Sequence, residues 1–173
     1  MYKLSSEPLL NAQQIDRRLE SLAQELKACN FDVILSALTG SYIFTADISR
    51  RIAHPKLKIA FIKTSSYGKS TESQGKVQIN GIDDLDIKGK RVLIIDDILD
   101  TGNTMFSLVK TLTELSPASI KTCVLLNKES RRTVDYHADF VGFEIENKFV
   151  VGYGLDYAND YRTLPEIWTL EEV

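Results

Sequence analysis

Cysteine is scarce in this chain: Cys29 and Cys123 are the only two among 173 residues, and no CxxC pair occurs. A disulfide framework and a cysteine-built zinc site are excluded, and a reducing, cytoplasmic setting is expected. Histidine is equally sparse. His54 and His137 read as surface or turn residues and offer no metal-ligand cluster. Charge of one sign is also missing, with 21 basic residues against 24 acidic ones and a formal net charge of −3. A nucleic-acid binder normally carries a basic excess, so no nucleic-acid partner is expected. The apolar runs are short and broken by charge, far below the ~18–20 residues that span a bilayer. The start, MYKLSSEPLL, lacks the apolar core and small-residue cleavage site of a secretory signal. Neither a membrane nor a secreted protein is expected. No repeat, low-complexity stretch or Pro/Gly/Ser linker divides the chain, so residues 1–173 are expected to form a single domain.

What remains is 43% hydrophobic, enough for a sizeable core, and it is patterned. In NAQQIDRRLESLAQELKAC, Ile15, Leu19, Leu22 and Leu26 recur at helical spacing. Arg17, Arg18, Glu20 and Glu25 should then face away, and Asn11 should cap the helix. Strands are predicted over Phe31–Leu38, Leu57–Thr64, Arg91–Asp97, Ile120–Asn127, Phe140–Ile145 and Phe149–Gly154. Helices are predicted over Ser41–Ile52 and Met105–Leu115. Strands alternating with helices, several of them apolar on both faces, predict an α/β fold whose mostly parallel sheet is flanked by helices. In such sheets ligands sit beyond the carboxyl ends of the strands. Between the second and third of these strands lies Ser65–Gly75, polar, Gly-bearing and without periodicity, with Tyr67 as its one aromatic.

The segment richest in chemistry is VLIIDDILDTGNT, Val92–Thr104. A buried strand emits Asp96 and Asp97 at its carboxyl end. Two adjacent carboxylates cost desolvation and mutual repulsion, which a divalent cation or sugar hydroxyls would relieve. Asp100, Thr101, Gly102, Asn103 and Thr104 follow and open the next helix. Small residues there let backbone N–H groups converge on an anion at the helix N-terminus. The plain alternative is an Asp-rich turn in which Asp100 or Thr101 merely caps the helix. No GxxxxGK[ST] and no GxGxxG occurs, which removes most support for nucleotide kinases and Rossmann dehydrogenases.

Over all 13 residues this segment resembles the phosphoribosyl-pyrophosphate (PRPP) motif of the type I phosphoribosyltransferases. Four further segments resemble the hypoxanthine/guanine branch: LTGSYIFTADISR (Leu38–Arg50), SSYGKSTESQGKV (Ser65–Val77), LLNKESRRTV (Leu125–Val134) and Asp139–Pro165. The resemblance implies a hood built from the chain ends over the sheet. It also implies transfer of 5-phosphoribosyl from PRPP to a 6-oxopurine, with Mg²⁺ as cofactor and pyrophosphate and IMP or GMP as products. A homodimer or homotetramer would follow.

The same resemblance assigns roles. Asp96 and Asp97 lie near ribose and metal, with Asp156 as a further metal-associated carboxylate. Thr101, Gly102, Asn103 (through its backbone N–H) and Thr104 cradle the 5-phosphate. Thr39, Gly40 and Arg162 meet pyrophosphate, and the peptide joining Leu38 and Thr39 is expected to be cis. Asp100 takes a proton from the purine ring. Lys128 donates to the purine 6-oxygen, Phe149 stacks on the base and Val150 offers backbone groups to its other edge. Without the resemblance, Lys128 reads as a surface lysine and Phe149 as a core residue. Ser66 and Tyr67 belong to a lid that would exclude water. One position departs from the pattern: Thr39 stands where the family usually has lysine, which removes a positive charge from the pyrophosphate subsite. Two other readings are a xanthine-preferring 6-oxopurine transferase and a regulator that senses PRPP or nucleotide without catalysis. Asp100 and Lys128 speak against the regulator.

Overall fold

The apolar strands lie side by side in the computed structural model, which describes residues 2–66, 77–82 and 85–172. In chain order the main-sheet strands are β2 (Val33–Leu38), β3 (Lys58–Ser66), β4 (Val77–Asn80), β5 (Arg91–Leu99), β6 (Ser119–Asn127) and β7 (Phe140–Glu144). Their spatial order is β4-β3-β2-β5-β6-β7. Every neighbouring pair is parallel except the antiparallel β3–β4 pair. Val92–Ile95 of the central β5 are wholly buried, which explains a strand apolar on both faces. Leu93 and Ile95 join one core, with α1 (Ala12–Lys27) and α2 (Tyr42–Arg51), while Val92 and Ile94 join the other, with α3 (Asn103–Thr113). The expected α/β fold, a mostly parallel sheet between helices, is the observed one.

Helix α1 buries Ile15, Leu19, Leu22 and Leu26, as its spacing predicts. Asn11 caps it reciprocally: Gln14 N–H donates to the Asn11 side chain at 2.9 Å, and Asn11 N–H donates to Gln14 Oε1 at 2.8 Å. Arg18 departs from its expected outward position. Its Nε donates to Gly142 O at 2.8 Å and its Nη2 to Val141 O at 2.7 Å. Those carbonyls belong to the edge strand β7, so a long cation covers an edge that periodicity alone leaves open.

Two boundaries near the acid pair move. Strand β5 runs on to Leu99, so Asp96 and Asp97 lie within it. Helix α3 begins at Asn103 rather than Met105, because Gly102 adopts φ +88° and turns the chain into the helix two residues earlier. The predicted strand Phe149–Gly154 shrinks to β8 (Val150–Val151), since Gly152, Tyr153 and Gly154 all have positive φ. It pairs outside the main sheet, in an antiparallel β1-β9-β8 sheet with β1 (Tyr2–Leu4) and β9 (Trp168–Glu172). This small sheet of both chain ends is the hood the resemblance implied. The Tyr153 hydroxyl ties it to α2, donating to Asp47 at 2.5 Å. Burial and the Asp47 charge hold that phenol above its ordinary pKa.

From β2 the chain goes to β3 on one side, while β5 lies on the other. The carboxyl ends of β2 and β5 therefore meet where the strand order reverses, the position at which open α/β sheets bind ligands.

Candidate active site

A cleft of about 280 Å³ opens at that reversal. Thr39, Gly40, Asp96, Asp97, Asp100, Thr101, Gly102 and Thr104 line it together. Asn103 does not face it; its side chain donates to Thr101 Oγ1 at 3.2 Å and to Thr133 Oγ1 at 3.0 Å. Lys128, Phe149, Val150, Asp156 and Arg162 stand outside the wall of this cleft. Of the expected lid, Tyr67 lies outside the described residues and Ser66 enters only as the last residue of β3.

The β2 end is shaped by a cis peptide between Leu38 and Thr39, as the resemblance implied. Behind it, buried hydroxyls pin the turn. Ser36 Oγ lies 2.9 Å from Ser41 Oγ and 2.7 Å from Thr45 Oγ1, and Ser41 Oγ donates to Ala37 O at 2.6 Å. Gly40 is required by proximity: a Cβ there would collide with the Asp97 carboxylate.

Asp97 N–H donates to Asp96 Oδ1 at 2.9 Å, and Ile98 N–H donates to Asp97 Oδ1 at 2.8 Å. Burial first, then the neighbouring Asp97 charge, pushes the Asp96 carboxyl well above the usual range. Burial also raises Asp97, against the pull of its hydrogen bonds and of the Arg162 charge. Among the described residues, no lysine or arginine lines the cleft. Hard carboxylate oxygens are the donor set Mg²⁺ takes, usually one or two carboxylates completed by water and substrate phosphate. Among the described residues, no three potential metal ligands gather. Asp156 instead pairs with Arg162 at 2.9 Å, and Arg162 Nη1 donates to Gly154 O at 2.8 Å.

Beyond the acid pair, Asp100 does not cap α3. The cap is Gly102, with no side-chain hydrogen bond. The first helical acceptor is Gly102 O, taken by Phe106 N–H at 2.9 Å, so the Thr104 and Met105 N–H groups have no acceptor within the helix, while Asn103 N–H donates to Thr101 Oγ1 at 3.4 Å. Open donors of this kind at a helix N-terminus suit an anion.

Lys128 is only 7% exposed, which removes the surface-lysine reading. Its N–H donates to Leu99 O at 2.9 Å, placing it beside Asp100. Burial lowers its ammonium pKa, partly offset by the Asp100 charge. Val150 is buried, whereas Phe149 is 54% exposed and presents an open ring. Tyr157 meets Phe149 edge-on at 5.7 Å between centroids, and Tyr2 meets Tyr157 at 5.2 Å. Sequence reasoning gave no role to Tyr157, Asn127, Arg131 or Arg132. Nothing in the chain distinguishes that Arg-Arg pair from a solvated one until Arg131 is seen 3.1 Å from the Asp100 carboxylate.

Known proteins carry the same pattern. Residues 5–158 match the model of the phosphoribosyl transferase domain. The chain is 44% identical to the hypoxanthine-guanine phosphoribosyltransferase of Aquifex aeolicus, over 95% of this chain and 94% of that one. It is 42% identical to that of Bacillus subtilis, over 94% and 92%. A crystal structure of a hypoxanthine-guanine phosphoribosyltransferase from Bacillus anthracis superposes with a TM-score of 0.89 at 34% identity, covering 99% of this chain and 100% of that one.

Proposed function

The chain belongs to the phosphoribosyltransferase family, and on that footing we propose that it salvages purines, transferring 5-phosphoribosyl from PRPP to hypoxanthine or guanine. The products are IMP or GMP and pyrophosphate. The observation that carries the base assignment is Lys128, a buried cation whose N–H is fixed to Leu99, the last residue of β5 before Asp100. One donor and one acceptor are thus held on adjacent strand ends, which suits a base with a 6-oxygen and a ring N–H. A protein that only senses PRPP has no use for that pair.

In this reading the N–H groups opening α3, with the Thr101 and Thr104 hydroxyls, hold the 5-phosphate. Thr39 and Gly40 meet pyrophosphate through their backbone. Asp96 and Asp97 are the residues that would hold Mg²⁺, which when bound neutralises charge building on the leaving pyrophosphate. Arg162, fixed by Asp156, adds positive charge on the Asp97 side. As the bond from the anomeric carbon to pyrophosphate breaks, the ribose becomes cation-like, and the acid pair stabilises it electrostatically. The purine lies against Phe149 with its other edge on Val150 backbone, while Lys128 donates to the 6-oxygen. Asp100 takes the proton from the ring nitrogen that bonds to ribose.

Two free thiols, Cys29 and Cys123, suit a cytoplasmic site of action, and no helix among the described residues is long and apolar enough to cross a membrane. Exposed Ile59 and Phe61 on β3 offer a surface for a homodimer or homotetramer, to be read by sedimentation. The functional test is nucleotide formation from PRPP and each of hypoxanthine, guanine, xanthine and adenine. Conversion of hypoxanthine or guanine is expected. Conversion of xanthine alone would shift the assignment to a xanthine-preferring enzyme, and conversion of none would leave a regulator.

A further inference from the structure

Two consecutive arginines grip Asp100 at both ends. Arg131 Nε donates to its carboxylate at 3.1 Å, and Arg132 Nη1 donates to its backbone carbonyl at 2.6 Å. The two contacts differ in kind. The Arg131 pair is well exposed on both sides and is readily screened by solvent. The Arg132 side chain is only 9% exposed. Its Nη2 donates to Asn127 Oδ1 at 2.5 Å, and Asn127 closes β6 one residue before Lys128. Asn127 Nδ2 in turn donates to Glu144 at 2.9 Å. The Arg132 stem packs over the phosphate loop, where a Cβ at Gly102 would stand 3.0 Å from its Cδ. Thr133 N–H extends the contact, donating to Thr101 O at 3.0 Å.

Arg132 Nε is moreover the one buried side-chain polar atom without a hydrogen-bond partner among the described residues. Glu129, 3.6 Å from Nη2, offsets the charge in part, but an orphaned buried donor is costly, and packing alone is better served by an apolar side chain of similar volume. What a guanidinium supplies, and an apolar group cannot, is two diverging donors in a rigid fork. The fork joins the Asp100 carbonyl to the strand end that presents Lys128.

We infer that Arg132 is a positioning residue, tying the loop of the proton acceptor Asp100 to the strand end of the 6-oxygen donor Lys128 so that the two keep one separation as purine binds. The inference rests on the purine-transfer reading and adds to it a side chain that touches no substrate. A misplacement of ~1 Å can cost about 10²-fold in rate, and a loss of kcat on that scale is expected in Arg132→Ala. Loss of folded enzyme would lower kcat too, so the deciding readout is chemical rescue. Millimolar guanidinium should refill the space left in Arg132→Ala and restore turnover, while urea, equal in shape and uncharged, should not. Unchanged turnover in Arg132→Ala, or a loss that guanidinium fails to repair, would overturn the assignment. If Arg132→Ala does not fold, Arg132→Lys decides, because lysine keeps the charge without the fork. Near-wild-type melting with kcat about tenfold or more down upholds the role, and near-wild-type kcat overturns it. An inactive unsubstituted enzyme would sink the purine-transfer reading as well; an active one with an active Arg132→Ala sinks this inference alone.

Discussion

The backbone N–H of Lys128 donates to the carbonyl of Leu99 at 2.9 Å, so the residue assigned to the purine 6-oxygen is hydrogen-bonded to the one preceding the assigned base. Parallel pairing of β5 with β6 sets this register, with Leu99 opposite Asn127. The sheet therefore fixes the two strand ends from which proton acceptor and donor project, and Arg132 holds the Asp100 loop beyond them.

Asp100→Asn keeps an oxygen for the Arg131 contact but cannot take a proton. A positioned general base is worth about 10²–10⁴-fold. We expect kcat to fall on that scale while the KM for PRPP moves little, as steady-state kinetics with both substrates will show. Unchanged turnover would remove Asp100 from proton transfer.

Asp96 makes the free protein's stability depend on pH. The folded chain keeps the Asp96 proton to higher pH than the unfolded chain, whose carboxyl titrates near 3.8. Ionising it in the folded state costs stability, a cost absent below 3.8 that grows as pH rises and levels off once folded Asp96 has ionised. Asp96→Asn should thus melt above wild type at neutral pH, with about 2–4 °C for each kcal/mol relieved, and the gap should close toward acid. Mg²⁺ should narrow it by raising wild type. Thermal unfolding across a pH series, with and without Mg²⁺, is the measurement; a gap indifferent to pH would contradict the account.

Gly40→Ala puts a methyl group onto the Asp97 carboxylate. Because a side-chain end can swing aside, the chain should still fold, with Asp97 displaced. kcat/KM for PRPP should drop roughly tenfold or more. Crystallography of the variant should find that carboxylate moved, and an unmoved, fully active site would refute the close-approach argument.

Tyr157→Ala removes the ring that meets Phe149 edge-on. Aromatic pairs are worth about 0.5–1.5 kcal/mol beyond their burial, so the KM for purine should rise roughly two- to tenfold with that for PRPP unchanged. Equal effects on both substrates would place Tyr157 in general stability instead.

Much of this was legible in the chain because local chemistry and tertiary role coincide. Val92–Ile95 are apolar since both faces are covered, and the cleft-lining residues between Asp96 and Thr104 lie close together in the chain. What escaped depends on distant partners. Arg18 looks solvent-facing by helical period, yet the unpaired carbonyls of Val141 and Gly142 draw it in. The short strands β1 and β9 exist only because the chain ends meet, with Tyr2 opposite Glu172. Arg132 lies in the Leu125–Val134 segment without a role of its own there, since its meaning lies in the Asp100 carbonyl and Asn127. Lys128 could be read either way until its burial was seen.

The central claim is that buried Lys128 and neighbouring Asp100 read a 6-oxopurine, and kcat/KM for hypoxanthine against adenine tests it most directly. An ammonium has three donors and no acceptor, so it satisfies a 6-oxygen but faces a 6-amino group donor to donor. A site built for one hydrogen-bonding pattern rejects the other by about 10⁴-fold or more. Wild type should therefore prefer hypoxanthine on that scale, and Lys128→Ala should lose hypoxanthine activity and narrow the gap to adenine. Equal use of adenine and hypoxanthine by wild type, or a preference untouched by Lys128→Ala, would contradict the account.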